Sequence, residues 1–203
     1  MGEEMLHVKQ HKPEVFQQAV DKALKYIMDR HGIRTEAEEL DQFRTFYSMI
    51  YADCGIAADH ERIETLANEE VFDVGKFIWF DDVVPMMDLW REHYTLGVVS
   101  DTWPSMDRVF RAYGLRDYFA TFVMSCDYGV TKSQPTLFQV ALDELKIKPE
   151  QAVFIDDLEP NLVVAADLGI HSIRIDRYGP NGDSRFPIIQ TLEDLKPLLD
   201  GRR

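Results

Sequence analysis

Apolar residues recur at helical spacing through the first third of the chain. Between Pro13 and His31 they form one amphipathic stripe, made of Val15, Phe16, Ala19, Val20, Ala23, Leu24 and Ile27. Thr35, with Glu38 three residues later, is a capping-box pattern that predicts the start of a second helix. A third, shorter helix is predicted at 59–71. The pattern therefore predicts an all-helical segment over residues 1–78.

The pattern changes at about residue 79, where short apolar runs begin to alternate with helical patterns. This alternation is typical of a parallel sheet covered by crossover helices. The predicted strands are Leu96–Ser100, Phe122–Ser125, Val153–Asp156 and Ser172–Ile175, and the predicted helices lie at about 104–113, 134–147, 160–168 and 191–199. The predicted fold class is α/β, a three-layer Rossmann-like parallel sheet core over 79–203 with an all-helical cap segment before it.

Composition narrows the class of partner. The chain has 203 residues, 45% of them hydrophobic, and a net charge of -14, which disfavours binding to nucleic acid or to an anionic membrane surface. Cys54 and Cys126 match no disulfide or metal spacing, and no leader pattern or membrane-length apolar run is present. We therefore expect a cytoplasmic protein that binds neither nucleic acid nor membrane.

Polar residues directly follow three of the predicted strands. Ser100 and Asp101 end the first strand, Lys132 precedes a helix after the second, and Asp156 with Asp157 ends the third. Ligands of open parallel sheets bind beyond the carboxyl ends of the strands, so these side chains are candidates for one site. Helix capping by Asp101, Thr102 or Asp157 and a solvated loop position for Lys132 are the structural alternatives.

The three positions are chemically complementary. A serine hydroxyl donates to a phosphoryl oxygen, a lysine supplies a compact positive charge, and adjacent carboxylates are hard ligands for Mg²⁺. A bound cation also relieves the mutual repulsion of two adjacent carboxylates. Together they predict a phosphate site with Mg²⁺ as its cofactor.

These residues resemble the haloacid dehalogenase superfamily of hydrolases. The likeness covers about residues 80–200 and rests on "VVSD" with Ser100, "GVTKSQPTLFQVAL" with Lys132, and "AVFIDDLEPNLVVAADLGI" with Asp156 and Asp157. The helical segment before them is similar to the cap that many members insert. The resemblance implies a phosphatase acting on a small phosphorylated molecule through an aspartyl intermediate, or in some members a dehalogenase.

Carried over residue by residue, the resemblance assigns a role to each candidate. Ser100 binds a phosphoryl oxygen, with Asp101 beside it where Asn is common, and Lys132 neutralises charge on the phosphate and the nucleophile. Asp156 and Asp157 hold Mg²⁺ directly or through water. A lesser departure is Ser-Gln-Pro after Lys132, where members often have Pro-Asp/Glu-Pro.

One departure concerns the reaction itself. Members open with a strand that ends in Asp-x-Asp, whose first Asp attacks phosphorus and whose second is the general acid and base. No Asp-x-Asp occurs in the 203 residues. In the family that strand lies between the strands ending at Ser100 and Asp156, so its absence leaves backbone groups on both without partners.

Three explanations for the absent Asp-x-Asp strand stay open. The sequence begins too late, the core has closed or recruited a substitute strand such as Met5–Lys9, or another copy lends a strand. A late start predicts that upstream DNA encodes, in frame, an apolar strand ending in Asp-x-Asp. An in-frame stop codon directly before Met1 would contradict it. A strand lent by another copy would make the protein an oligomer, so the oligomeric state stays open.

The functional hypotheses differ in class. The first is a Mg²⁺-dependent phosphohydrolase whose 203 residues lack the attacking group, so that the polypeptide is inactive or incomplete. The second is a non-catalytic relative that binds metal or phosphate or acts as an interaction protein. A receiver-like phospho-acceptor is disfavoured, because receivers place their acidic pair at the first strand.

Overall fold

The computed structural model describes residues 3–57, 59–179 and 183–200. Its first part contains four helices: α1 (Glu3–His11), α2 (Pro13–Met28), α3 (Glu36–Asp53) and α4 (His60–Phe72). The periodicity predicts the last three of them, whereas α1 is not predicted. The Thr35–Glu38 capping box is confirmed. The alternative that Met5–Lys9 forms a substitute strand is wrong, because these residues lie in α1. Met5 and Val8, three residues apart, are both buried, which is the spacing of one helix face.

The remaining elements are helices interspersed with strands. They are α5 (Val83–Trp90), β1 (Leu96–Ser100), α6 (Ser105–Ala112), β2 (Phe119–Met124), α7 (Ser125–Tyr128), α8 (Thr136–Leu145), β3 (Val153–Asp156), α9 (Glu159–Asp167), β4 (His171–Ile175), β5 (Ile188–Ile189) and α10 (Leu195–Asp200). All four predicted strands are present. β2 begins three residues earlier than predicted, and the two-residue β5 is too short for its apolar pattern to predict. The α/β class and the parallel pairing are confirmed.

The strands form two parallel sheets. β1 pairs with β2, and β3 pairs with β4, which in turn pairs with β5. Within the described ranges no strand ladder joins β1 to β3. The sheet is therefore divided between the two strands that end at Ser100 and Asp156.

The helical part docks on the α/β part through buried polar groups. The Glu39 carboxylate of α3, only 2% exposed, accepts from the backbone N–H of Ser105 at 2.8 Å and from its hydroxyl at 2.7 Å. Arg108 of α6 donates to Glu36 at 2.8 Å. These bonds join the two parts closely and mark no boundary between them. The domain division at 78/79 therefore stays a prediction.

No helix in the described ranges combines the length and the apolar character that crossing a membrane requires.

Candidate active site at the strand ends

The loop after β1 is fixed by hydrogen bonds to its neighbours. Asp101 Oδ1 accepts from the backbone N–H of Lys132 at 2.8 Å. Thr102 N–H donates to Ser125 Oγ at 2.8 Å, and Ser125 is fully buried at the end of β2. The ends of β1 and β2 therefore hold the segment that carries Ser100 and Asp101.

Lys132 joins the two half-sheets. Its backbone contacts Asp101 at the end of β1, and its ammonium Nζ lies 2.6 Å from Asp156 Oδ2 at the end of β3. The side chains of Lys132 and Asp156 are only 14% and 5% exposed. A solvated loop position for Lys132 is therefore wrong.

Asp156 is a buried carboxylate whose second oxygen is also satisfied. Oδ1 accepts from the Leu158 backbone N–H at 2.8 Å and from Asn161 Nδ2 at 3.1 Å. With Lys132 on Oδ2, the carboxylate has three donors, which offsets the cost of burying its charge. The strand can therefore end in a buried charge next to Asp157, which is exposed.

Ser100 and Asp157 flank this connected set without bonding to it. Ser100 is half-buried, and no described residue hydrogen-bonds to either side chain. Asp157 does not cap α9, because Leu158 is the N-cap and makes no side-chain bond. Capping of α6 by Asp101 or Thr102 is likewise wrong, since Glu39 takes the Ser105 N–H. The roles of all five residues in binding stay predictions.

Three further residues support the site. Asn161 holds Asp156, Ser125 holds Thr102, and His31 from the helical part places Nε2 2.5 Å from Ser125 Oγ. Burial lowers the pKa of His31, although the nearby charge of Asp101 acts in the opposite direction. Ser125 ends a predicted strand, so the argument from strand ends could have identified it. No local signal in the sequence marks His31, which lies 94 residues from Ser125.

The donor set fits a Mg²⁺ ion only in part. Within the described residues no group of three acidic, histidine or cysteine side chains is placed to hold a metal. Mg²⁺ is commonly held by one or two carboxylates, with phosphate oxygens and water completing its octahedron. Asp157 is accessible for this role, whereas each Asp156 oxygen already accepts from protein donors.

The order of these residues and the fold agree with one family. Residues 16–169 match the family model described as haloacid dehalogenase-like hydrolase, a hydrolase family. The chain belongs to this family.

Curated relatives share parts of the chain. Acyl-CoA dehydrogenase family member 10 of Mus musculus is 48% identical over 62 residues, which is 30% of this chain and 6% of that protein. Glyceraldehyde 3-phosphate phosphatase of Methanopyrus kandleri is 30% identical over 133 residues, 60% of this chain and 55% of that protein. The chain thus spans about half, or much less, of the relatives it matches.

Solved structures share the fold at low identity. A haloacid dehalogenase-type phosphatase from Thermococcus onnurineus has a TM-score of 0.62 and 20% identity, covering 98% of this chain and 92% of that one. A 2-haloacid dehalogenase from Pseudomonas syringae has a TM-score of 0.66 and 21% identity, covering 98% and 89%. These likenesses confirm the Rossmann-like fold with a helical cap.

Proposed function

We propose that the strand-end site binds the phosphate group of a small phosphorylated metabolite together with Mg²⁺. These residues would form the phosphate-binding part of the active site of a phosphomonoester hydrolase. The observation that carries the proposal is the Lys132 ammonium, which lies 2.6 Å from Asp156 and is largely removed from water. A cation held between strand ends supplies the charge-assisted hydrogen bonds that phosphate oxygens favour. The curated relative named as a phosphatase supports this chemistry over dehalogenation.

Each residue has a separate task in the proposal. Lys132 uses one of its three N–H donors on Asp156, which leaves two for phosphate. The Ser100 hydroxyl, which makes no bond to a described residue, donates to a second phosphoryl oxygen. Asp157, which is exposed, would be the carboxylate ligand of Mg²⁺, while Asp156 holds Lys132. Mg²⁺, when bound, would offset the negative charge of the phosphate and the carboxylates.

Hydrolysis requires a group that attacks phosphorus, and no Asp-x-Asp is present to supply it. Of the neighbouring carboxylates, Asp101 accepts from the Lys132 N–H and Asp156 from three donors, and Asp157 has the role of metal ligand in this proposal. We therefore expect residues 1–203 to bind phosphate without turnover. A non-catalytic phosphate-binding relative makes the same prediction for this polypeptide and is the second candidate.

Calorimetric titration with inorganic phosphate, with and without Mg²⁺, tests the proposal. We expect saturable binding that Mg²⁺ strengthens. Lys132→Met should weaken it at least about tenfold, the equivalent of about 1.4 kcal/mol, and Asp157→Asn should remove the Mg²⁺ effect. The matched controls are Lys196→Met and Asp143→Asn, which change exposed residues of the same type.

A folded sample that binds no phosphate, or a Lys132→Met variant that binds it as tightly as the unmodified protein, would contradict the proposed site. Turnover is measured separately with an aryl phosphate. Magnesium-dependent turnover by the unmodified protein that is lost in Asp157→Asn would contradict the expected lack of hydrolysis.

A further inference from the structure

The helical part contains a cavity of about 400 Å³, a volume in the range of small-molecule sites. It lies among helices α1 to α4 and the short turn Val74–Lys76, and we call it the α3–α4 cavity. Two of its lining residues, Tyr47 and Ile50, lie about 12 and 17 Å along α3 from Glu39, which contacts the α/β part. None of the strand-end residues is among the described residues that line it. The cavity is therefore separate from the proposed phosphate site.

The floor of the α3–α4 cavity is apolar. Ile50 and Leu66 are buried members of one hydrophobic cluster of the helical part, and Phe16 packs against that cluster. Tyr47 adds an aromatic ring and a hydroxyl, which donates to Glu70 Oε2 at 3.2 Å. An aromatic or branched aliphatic group gains free energy on this floor because it leaves water.

The mouth of the cavity carries an excess of negative charge. Glu69, Glu70 and Asp73 line it together with Lys76. Lys76 Nζ lies 2.6 Å from Glu70 Oε1, and the Tyr47 hydroxyl occupies the other oxygen, so the Glu70 carboxylate is paired on both oxygens. The Glu69 side chain has no hydrogen bond to a described residue, and Asp73 Oδ1 accepts one backbone N–H at 2.8 Å. Two carboxylates at the mouth therefore have no cation beside them.

These carboxylates stand at the helix end that disfavours anions. Helix α4 ends at Phe72 with Asp73 as its C-cap, and its last turn contains no basic residue. The C-terminal end of a helix carries a partial negative charge, which favours cations. Glu69 and Asp73 are also four residues apart, a spacing at which like charges repel. Burial and the nearby charges of Glu70 and Glu69 raise the pKa of the Tyr47 hydroxyl, so the negative potential extends to the aromatic wall.

We propose that the α3–α4 cavity binds a small organic cation, a protonated amine carried on an aromatic or branched aliphatic body. The ammonium lies at the mouth, where Glu69 and Asp73 supply charge-assisted acceptors. The body lies against Phe16 and Leu66, and the Tyr47 ring offers its face to the cation. Binding thus combines removal of apolar surface from water with neutralisation of the unpaired carboxylates.

Two other ligand classes fit the cavity less well. A phosphorylated metabolite is repelled by three carboxylates, so the ligand differs in class from that of the strand-end site. A metal ion is disfavoured because, within the described ranges, no three acidic, histidine or cysteine side chains are placed to hold one. The apolar floor offers a metal no ligands, whereas it suits the body of an amine.

Three indole compounds of similar shape separate charge from apolar contact. Tryptamine carries an ammonium group, tryptophol a neutral hydroxyl, and indole-3-propionate a carboxylate. Binding to the full chain is measured by calorimetry at constant ionic strength and located by amide NMR shifts. We expect one site for tryptamine with submillimolar affinity, at least about tenfold tighter than for tryptophol, and no measurable binding of indole-3-propionate.

The double variant Glu69→Gln with Asp73→Asn tests the charge at the mouth. Both residues are exposed, so the variant should fold. It should weaken tryptamine at least about tenfold and leave tryptophol unchanged. The matched control is Glu61→Gln with Asp21→Asn, which removes the same charge from exposed residues outside the cavity lining and should change neither affinity.

Three results would overturn the proposal. The first is a folded protein that does not bind tryptamine. The second is equal affinity for tryptamine and tryptophol, or an equal loss in the control variant, since apolar contact or the net charge of -14 would then account for binding. The third is amide shifts at Lys132 and Leu158 rather than at Leu66 and Glu69. Phosphate binding is measured with a different probe, so failure of one proposal leaves the other standing.

Discussion

At the scale of residues, the Lys132–Asp156 ion pair is the central interaction of the site. Both side chains are largely buried, and removing one partner of a buried pair leaves an uncompensated charge. We expect Lys132→Met to lower the free energy of unfolding by about 3 kcal/mol. The double variant Lys132→Met with Asp156→Asn should lose less than the sum of the two single variants, which urea unfolding measures.

The control for this cycle is the exposed pair Lys25–Asp29, whose side chains are 75% and 55% exposed. Surface pairs contribute at most about 1 kcal/mol, so Lys25→Met should have a much smaller effect. Equal losses in the two lysine variants would show that burial of the Lys132 pair has no special energetic role.

His31 predicts a pH dependence of stability. Its pKa lies below the ordinary value because it is buried, so the unfolded chain binds a proton at a higher pH than the folded chain does. The stability from neutral His31 is complete above the unfolded pKa of about 6.5 and is lost as pH falls through the folded pKa. His31→Gln should flatten the decline of stability below about pH 6.5 in urea unfolding, relative to the unmodified protein.

The matched control is His93→Gln, because His93 is exposed. We expect that variant to keep the pH dependence of the unmodified protein. If His31→Gln and His93→Gln showed the same slope, the acid sensitivity would have to come from other groups.

At the scale of elements, Glu39 joins α3 to the start of α6. Burial raises the pKa of this carboxyl, and its hydrogen bonds from Ser105 offset the increase in part. Glu39→Gln keeps a neutral acceptor and should change stability by less than about 1 kcal/mol, whereas Glu39→Leu leaves two buried Ser105 donors unpaired and should cost about 2–3 kcal/mol. If Glu39→Gln and Glu39→Leu lowered the free energy of unfolding equally in denaturant, the ionised form of Glu39 would be essential to this contact.

Elements with strong local signals are predictable from this sequence. The Thr35–Glu38 box fixes a helix start within four residues, and Leu96–Ser100 and Val153–Asp156 are apolar runs that match the observed strands. Met5–Lys9 alternates too weakly to decide between strand and helix, and the packing of Met5 and Val8 makes it a helix. Tertiary contacts override weak local preference here.

The residues of the candidate site also differ in how well the sequence predicts them. Lys132 and Asp156 are predictable because parallel strands bring their carboxyl ends to one edge. The capping alternatives at Asp101 and Asp157 fail because distant groups decide the bonds, such as Glu39, which lies 66 residues from Ser105. His31 could not be predicted either, since its bond to Ser125 depends on how the helical part docks.

At the scale of the whole molecule, the division of the sheet connects fold and function. The strand ends that carry Asp101 and Asp156 are joined by Lys132 rather than by a strand ladder. The groups that we propose to bind phosphate are therefore held together at the strand ends, although no described strand pairs with the facing edges of β1 and β3.

Amide hydrogen exchange of the unmodified protein, resolved residue by residue by NMR, tests this division most directly. We predict that the Phe154 and Ile173 amides, which lie in the β3–β4 ladder, exchange slowly. The Val153 and Ile155 amides should exchange at least about tenfold faster, because their N–H groups point away from β4, to the side of β3 that no described strand pairs with. Equal, strong protection of all four amides in the monomeric protein would contradict the divided sheet.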